Sequence, residues 1–443
     1  MIAKGGGKVS FGKISLHWYP RPNVVIENSE FSLDNGTRGS IETARIYPAI
    51  FYLLTGRLVV HRAVLEKPKF TSQLALNLEK RFDVEELENQ IRSALVAFAI
   101  AMPAPRIDLS DGFGELQIAG KAPVIIDKIT ANASGSPAEL RFEFSARSNL
   151  CDRVTIVGKV SPETLASKLE IEIRRLNLRE SYVLLPLQAT GYALQGEVSL
   201  EAKLDFVGLQ DFKASIDGSA GSLVIAHGGR SATMVAKSLK TIAAYKSGNL
   251  QIDVERLDLG APRLQASGEL RSHEGLLSAR MKIRGLDIAE TGDVVLRIAG
   301  NTESVKKALQ YLPAGTIPEV SIHTTGRSFA EMALIKNLSL AGLLRDGKII
   351  IAGPNLELQN VNGAVRLSGG ILEADGVSAK SGEAKAWNGK LRLGLKGTAA
   401  PFHFDALFNA GAGALHALLL RHLQDGPFQG EIMKLRNVEG ALT

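Results

Sequence analysis

Histidines, a single cysteine and the acidic residues are the side chains from which this chain could build a reactive centre. The eight histidines (His17, His61, His227, His273, His323, His403, His416 and His422) include no His-Glu-x-x-His pair, the spacing that sets two ligands on one helical face. His416 and His422 are six apart on a predicted helix, which is poor chelating geometry. No Gly-x-Ser-x-Gly elbow is present to present a nucleophile. Gly5-Gly-Gly-Lys8 lacks both the Gly-x4-Gly-Lys-Ser/Thr spacing of a phosphate loop and the strand that should precede it. Cys151 stands alone, which excludes an intrachain disulfide and any multi-cysteine metal site. It reads as a small, partly buried residue. Asp and Glu mostly alternate singly with apolar residues instead of clustering. The expectation is a protein without catalytic residues, metal or cofactor.

Composition points the same way. The 443 residues are 45% hydrophobic, enough for a large core, with only 6% aromatics and 44 glycines. That mixture suits many short strands and tight turns. The formal charge of +6, from 52 Lys and Arg against 46 Asp and Glu, is spread along the chain. A basic excess permits anionic partners without choosing one, and no basic cluster is interleaved with stacking aromatics, so no nucleic-acid partner is expected. No run of roughly 18 to 20 apolar residues could span a bilayer.

The elements follow from hydrophobic periodicity. Between Phe11 and Phe70 the chain reads as strands at Lys13 to Trp18, Asn23 to Glu27, Phe31 to Leu33, Ser40 to Ile46 and Arg57 to Leu65, with a short apolar helix at 47–54 stopped by Gly56. This N-terminal β unit covers residues 1–80, including a further strand from Ser72 to Leu78. The clearest helix lies near 83–101: Val84, Leu87, Ile91, Ala94, Leu95 and Phe98 recur at helical spacing, Asp83 can cap it and Pro103 ends it. Residues 81–104 therefore form an amphipathic helical segment, and its apolar second half is expected to plug one end of a β structure or to touch lipid.

Residues 105–443 are expected to form a repetitive β region with short helical insertions. Strands such as Leu140 to Ala146, Leu169 to Arg174, Val198 to Phe206, Leu250 to Glu255, Leu277 to Ile283 and Leu391 to Lys396 put apolar side chains on one face and polar ones on the other, the pattern of antiparallel strands with one wet face. Asp111-Gly112, Asp217-Gly218, Asp346-Gly347 and Asn362-Gly363 are predicted to supply the hairpin turns. Short helices are predicted from Ser161 to about Lys168, at Thr302 to Leu312, at Phe329 to Ile335 behind the capping box Ser328 to Glu331, and at Gly413 to Leu423. An apolar face this long must be covered, either by a second sheet or by a ligand. The residues assigned to it are Leu140, Phe142, Phe144, Ile171, Ile173, Leu200, Leu204, Phe206, Ile252, Val254, Met281 and Ile283.

Several stretches resemble one known family. Phe11-Gly-Lys-Ile-Ser-Leu-His-Trp18, Pro20-Arg-Pro-Asn-Val-Val-Ile-Glu-Asn28 and Leu53-Leu-Thr-Gly-Arg-Leu-Val-Val60, closed by Lys67-Pro68, are similar to the start of the bacterial AsmA-like proteins (AsmA/TamB type), which are grouped with bridge-like lipid-transfer proteins. A weaker echo follows at Leu343 to Pro354 and Gly369 to Gly376. The resemblance implies a mainly β fold, an elongated and curled antiparallel sheet forming a taco-like groove, that binds or conducts phospholipids or other acyl lipids between membranes. It implies no enzymatic activity. It also implies an inner-membrane anchor through an N-terminal helix, a periplasmic face in a Gram-negative envelope and possible envelope protein partners. That helix would precede Val9, so the sequence is expected to begin late, and its last residues read as the start of a further strand. Two other readings stay open: a structural or assembly factor for the outer membrane with a closed β core, and a carbohydrate-active β-solenoid enzyme.

Overall fold

The computed structural model of the chain describes residues 7–33, 36–50, 52, 59–74, 88–89, 91–93, 95–96, 102, 104–118, 121–181, 192–208, 211–298, 303–351, 356–382, 384–395, 402–413, 416, 420, 427–435, 438 and 441–442. Within it the chain is mainly β and divides into two compact units, residues 1–190, 194–221 and 242–247 in one and 191–193, 222–241 and 248–443 in the other. The first holds β1 (Gly7–Ser10), β2 (Lys13–His17), β3 (Asn23–Leu33), β4 (Arg38–Pro48), β5 (Val60–Leu74), β6 (Arg106–Ile118), β7 (Val124–Gly135), β8 (Leu140–Ser148), β9 (Cys151–Val160), β10 (Ser167–Asn177), the short helix α1 (Leu178–Ser181) and most of β11 (Tyr192–Val207). Residues of β12 (Asp211–His227) and β13 (Arg230–Lys246) are divided between the units.

The second unit holds β14 (Asn249–Ala261), β15 (Arg263–His273), β16 (Leu276–Asp287), helices α2 (Ile288–Ile298) and α3 (Glu303–Tyr311), β17 (Ala314–Gly326), α4 (Phe329–Met332), β18 (Leu338–Ile351), β19 (Leu356–Ser368), β20 (Ile371–Ser381), β21 (Ala384–Gly394), β22 (Phe402–Gly411), α5 (Pro427–Lys434) and β23 (Ala441–Leu442). In each unit sequence neighbours pair side by side, and among the described residues no pairing brings the first strand of either ladder onto its last. The sheets are open.

Among the described residues the strand pairings above run antiparallel with one exception. β5 and β6 run parallel, Leu65 opposite Leu109, which requires a crossover rather than a hairpin. The helix expected at 83–101 falls in that crossover, and residues 88, 89, 91–93, 95 and 96 are helical. The short helix expected at 47–54 begins later than expected, because Tyr47 and Pro48 still pair with β5 as the end of β4, while residues 50 and 52 are helical. The rest of the 83–101 helix, residues 51, 53 and 54, residues 75–78 and much of 413–423 lie outside the described residues.

Several local expectations are corrected. Asn23 to Leu33 is one strand, not two, because Asn28 takes a left-handed φ of 50° and passes the chain through a kink without ending its pairing. Val60 to Leu74 is likewise continuous, through Lys67 at φ 48°. Residues 161–166 make one hydrogen-bonded turn, not a helix: Val160 and Ser167 face each other across the β9–β10 hairpin, so the connection has no room for a second turn. The four Asx-Gly pairs sit inside β6, β12, β18 and β19 instead of in hairpin turns. Hairpin turns with two positive φ angles are instead made by Gly228-Gly229, Ser247-Gly248, Glu274-Gly275 and Gly369-Gly370.

The displaced Asx residues have a structural task. Two of them, Asp111 and Asp346, have φ near +50°, as does Asn360 beside Asn362, and register shifts accompany all three. Each such bulge bends its strand and sharpens its twist. In the second unit the shifts lie level with one another, at Leu344 to Gly347, Asn362, Ala374 to Val377 and Trp387 to Lys390, so one transverse row of bulges curls successive strands the same way.

Candidate apolar ligand face

Register converts the alternation of single strands into a surface. In the first unit one lateral row runs Ile14, Ile26, Ala44, Leu65, Leu109, Ala131, Phe144, Ile156, Ile171, Ala202. The next row on the same face runs Leu16, Val24, Ile46, Ala63, Ile107, Ala133, Phe142, Gly158, Leu169, Leu204. No polar side chain interrupts either row across ten strands. The interleaved row of the other face includes Arg45, Asp108, Asn132, Glu143, Glu170 and Lys203, and is mostly polar. Cross-strand ion pairs reinforce that wet face, among them Arg45 with Glu66 at 2.7 Å and Arg62 with Asp108 at 2.6 Å.

The only residue without a side chain in those rows is Gly158, and its neighbours fill the gap. A Cβ there would lie 2.9 Å from Phe142 Cζ and 2.6 Å from Leu169 Cδ2, so the aromatic ring lies over the glycine and keeps the surface continuous.

The second unit repeats the arrangement. Val254, Gly268, Met281, Ile322, Leu340, Leu367, Leu372 and Leu393 form one row, and Leu257, Ala266, Ile283, Val320, Gly342, Val365, Ala374 and Leu391 the adjacent one. Here part of the face is covered. Ile288 of α2 and Leu309 of α3 pack over Ile317, Val320, Leu344, Val361 and Val377, the best-buried cluster of the unit. Between α3 and the sheet remains an apolar cavity of about 220 Å³, lined by Leu309, Leu312, Leu344, Val361, Val365 and Val377 among others. Cavities of about 150 Å³ with such walls stay dry and accept hydrocarbon.

Each sequence-derived candidate can now be placed. Leu140, Phe142, Phe144, Ile171, Ile173, Leu200, Leu204 and Phe206 share one face of the first unit by register. Ile252, Val254, Met281 and Ile283 share one face of the second. The candidates omit most of the second unit's face, from Val320 to Leu393, and omit α2. Its signal was present: Asp287 Oδ1 accepts from the Glu290 backbone N at 2.8 Å, the Asp-x-x-Glu pattern of a helix start. Capping at α4 follows the predicted box, with Ser328 Oγ accepting from Glu331 N at 3.1 Å.

Among the described residues no group of three or more His, Cys, Asp or Glu could hold a metal ion, and no helix is long and apolar enough to cross a membrane. Burial pushes the Cys151 thiol pKa up, a shift its hydrogen bond to Ser148 only partly opposes. Compared with known proteins, the chain matches no family model and no curated sequence. What the residues build is an open β-sheet with one polar and one apolar face.

Proposed function

We propose that this chain is a non-enzymatic lipid-binding protein of the AsmA-like type, in which the apolar face holds acyl chains and conducts phospholipids across an aqueous space. The observation that carries the reading is the unbroken pair of apolar rows in the first unit, whose members are mostly neither buried nor fully exposed. A face of this kind lowers the cost of carrying a lipid through water, about 0.8 kcal/mol for each CH₂ removed from solvent. Many interchangeable Val, Ile, Leu and Ala contacts and no polar anchor suit a surface that must release as readily as it binds. The placement that goes with this reading is the cell envelope of a Gram-negative bacterium, tethered to the inner membrane and facing the periplasm. The alternative is an outer-membrane assembly factor whose face is covered by protein; α2 and α3, which cover part of the second unit's face, favour it locally.

Native mass spectrometry with lipid extraction distinguishes them. Phospholipid should co-purify with the chain from a bacterial host and be lost from a Phe142→Asp, Ile171→Asp, Phe206→Asp variant that keeps its circular dichroism spectrum. Val157→Asp, on the opposite face, should retain lipid. A folded but lipid-free wild type rejects the reading.

A further inference from the structure

Large apolar side chains stand in water in one short stretch of the first unit. Phe11 is 52% exposed, Ile14 59%, Leu16 55%, Trp18 71% and Tyr19 91%. The strand among them, β2, is an edge: its described pairing is with β3 alone. Trp18 and Tyr19 follow it directly, in the connection that leads to β3 at Asn23. Ile14 and Leu16 also begin the two lateral apolar rows, so this edge is where the apolar face meets solvent.

Charge is as uneven as hydropathy here. The first 26 residues carry Lys4, Lys8, Lys13 and Arg21 and neither Asp nor Glu, in a chain whose totals are 52 basic against 46 acidic residues; the first carboxylate, Glu27, stands opposite Lys13 across the β2–β3 ladder. Lys8, Lys13 and Arg21 are exposed, and no carboxylate pairs with them among the described residues. Indole and phenol rings with cations beside them are the side chains that favour a membrane–water interface, the rings at headgroup level and the cations on lipid phosphates. Two highly exposed rings flanked by exposed cations therefore select a lipid interface.

We propose that β2 and the connection at residues 18–22 dock on an anionic phospholipid bilayer, with Trp18 and Tyr19 at the headgroup boundary and Lys8, Lys13 and Arg21 facing the phosphates. This surface does not depend on the apolar rows carrying lipid.

The test uses the full chain and vesicles of phosphatidylcholine with or without phosphatidylglycerol. The chain has two tryptophans, Trp18 and Trp387, so a Trp387→Phe variant reports on Trp18 alone. Its emission should shift to the blue and be quenched by acyl-brominated lipid in the phosphatidylglycerol vesicles, and much less in pure phosphatidylcholine. Co-flotation of the otherwise unaltered chain should fall roughly tenfold in Trp18→Ser/Tyr19→Ser and about fivefold for each of Lys13→Gln and Arg21→Gln. These positions are exposed, so the variants should fold, and flotation reads the result even if Trp387→Phe does not. Unchanged flotation in the Trp18/Tyr19 variant overturns the proposal. So does a vesicle-free dimer by analytical ultracentrifugation that the same variant dissolves, which would assign the edge to a second copy.

Discussion

Arg175 shows how single side chains tie together the strands of an open sheet. It occupies a bulge of β10 at φ 51°, where its backbone N donates to Ser199 Oγ at 3.2 Å. Its guanidinium donates to Glu197 of β11 at 2.8 Å and to Asp152 of β9 at 3.3 Å, tying three strands together. Hydrogen bonding to Arg175 holds the Glu197 carboxyl below its usual range, and Arg141, then Lys159, do the same for Glu139. A carboxylate whose folded pKa is depressed adds stability that is fully present above the unfolded value, about 4.3, and is lost as pH falls through the folded one. The double variant Glu139→Gln/Glu197→Gln should therefore show a lower urea midpoint than the wild type at pH 7, and the gap should close by about pH 2. Because both carboxyls are solvent-exposed, the gap should be small. Cys151 offers a second check. With its thiol pKa raised by burial, alkylation by iodoacetamide at neutral pH should be slow in the folded chain and accelerate in denaturant, since the thiolate is the reactive species. Fast labelling in the native state would contradict the burial.

At the scale of elements, the bulges separate this sheet from a flat one. Asp346 adopts φ 49° inside β18, with its backbone N donating to Asn362 Oδ1 at 3.1 Å. Replacing it with valine should cost about 1–2 kcal/mol, because a branched Cβ is crowded in the left-handed region, while glycine should be tolerated. Chemical denaturation of Asp346→Val and Asp346→Gly checks this, and equal midpoints would show that the bulge conformation is not required. The same residues explain why Asx-Gly pairs misled the reading of turns. A type I′ hairpin and a strand bulge both need a residue that tolerates positive φ, so local chemistry is identical in the two. Only the pairing partner tells them apart, and that partner lies in another strand. Helix ends were more legible: the box at Ser328 and the stop before Pro313 act within one turn of chain, and α4 and α3 fall beside them.

For the molecule as a whole, stability and the apolar surface are distributed differently in the two units. In the second, Leu344 is 2% exposed beneath α2 and α3. In the first, Leu16 occupies an apolar row yet lies open to solvent at the ladder's edge. Leu344→Ala should lower stability by about 2–5 kcal/mol through lost burial and a residual cavity, whereas Leu16→Ala should stay within about 0.5 kcal/mol. Urea titration followed by far-ultraviolet circular dichroism measures both. A large effect at Leu16 would mean that protein covers that edge.

Sequence alone determined the class of fold and the identity of the apolar positions, because period-2 alternation is a property of each strand and needs no partner to be read. Only the tertiary structure decided that Phe142 of β8 stands opposite Gly158 of β9 and Leu169 opposite Leu204, that β5 and β6 run parallel, and that α2 and α3 cover the face at Leu344. The reason is physical. Lateral register is set between strands tens of residues apart, and a shift of one residue would have turned every apolar side chain of a strand to the polar face.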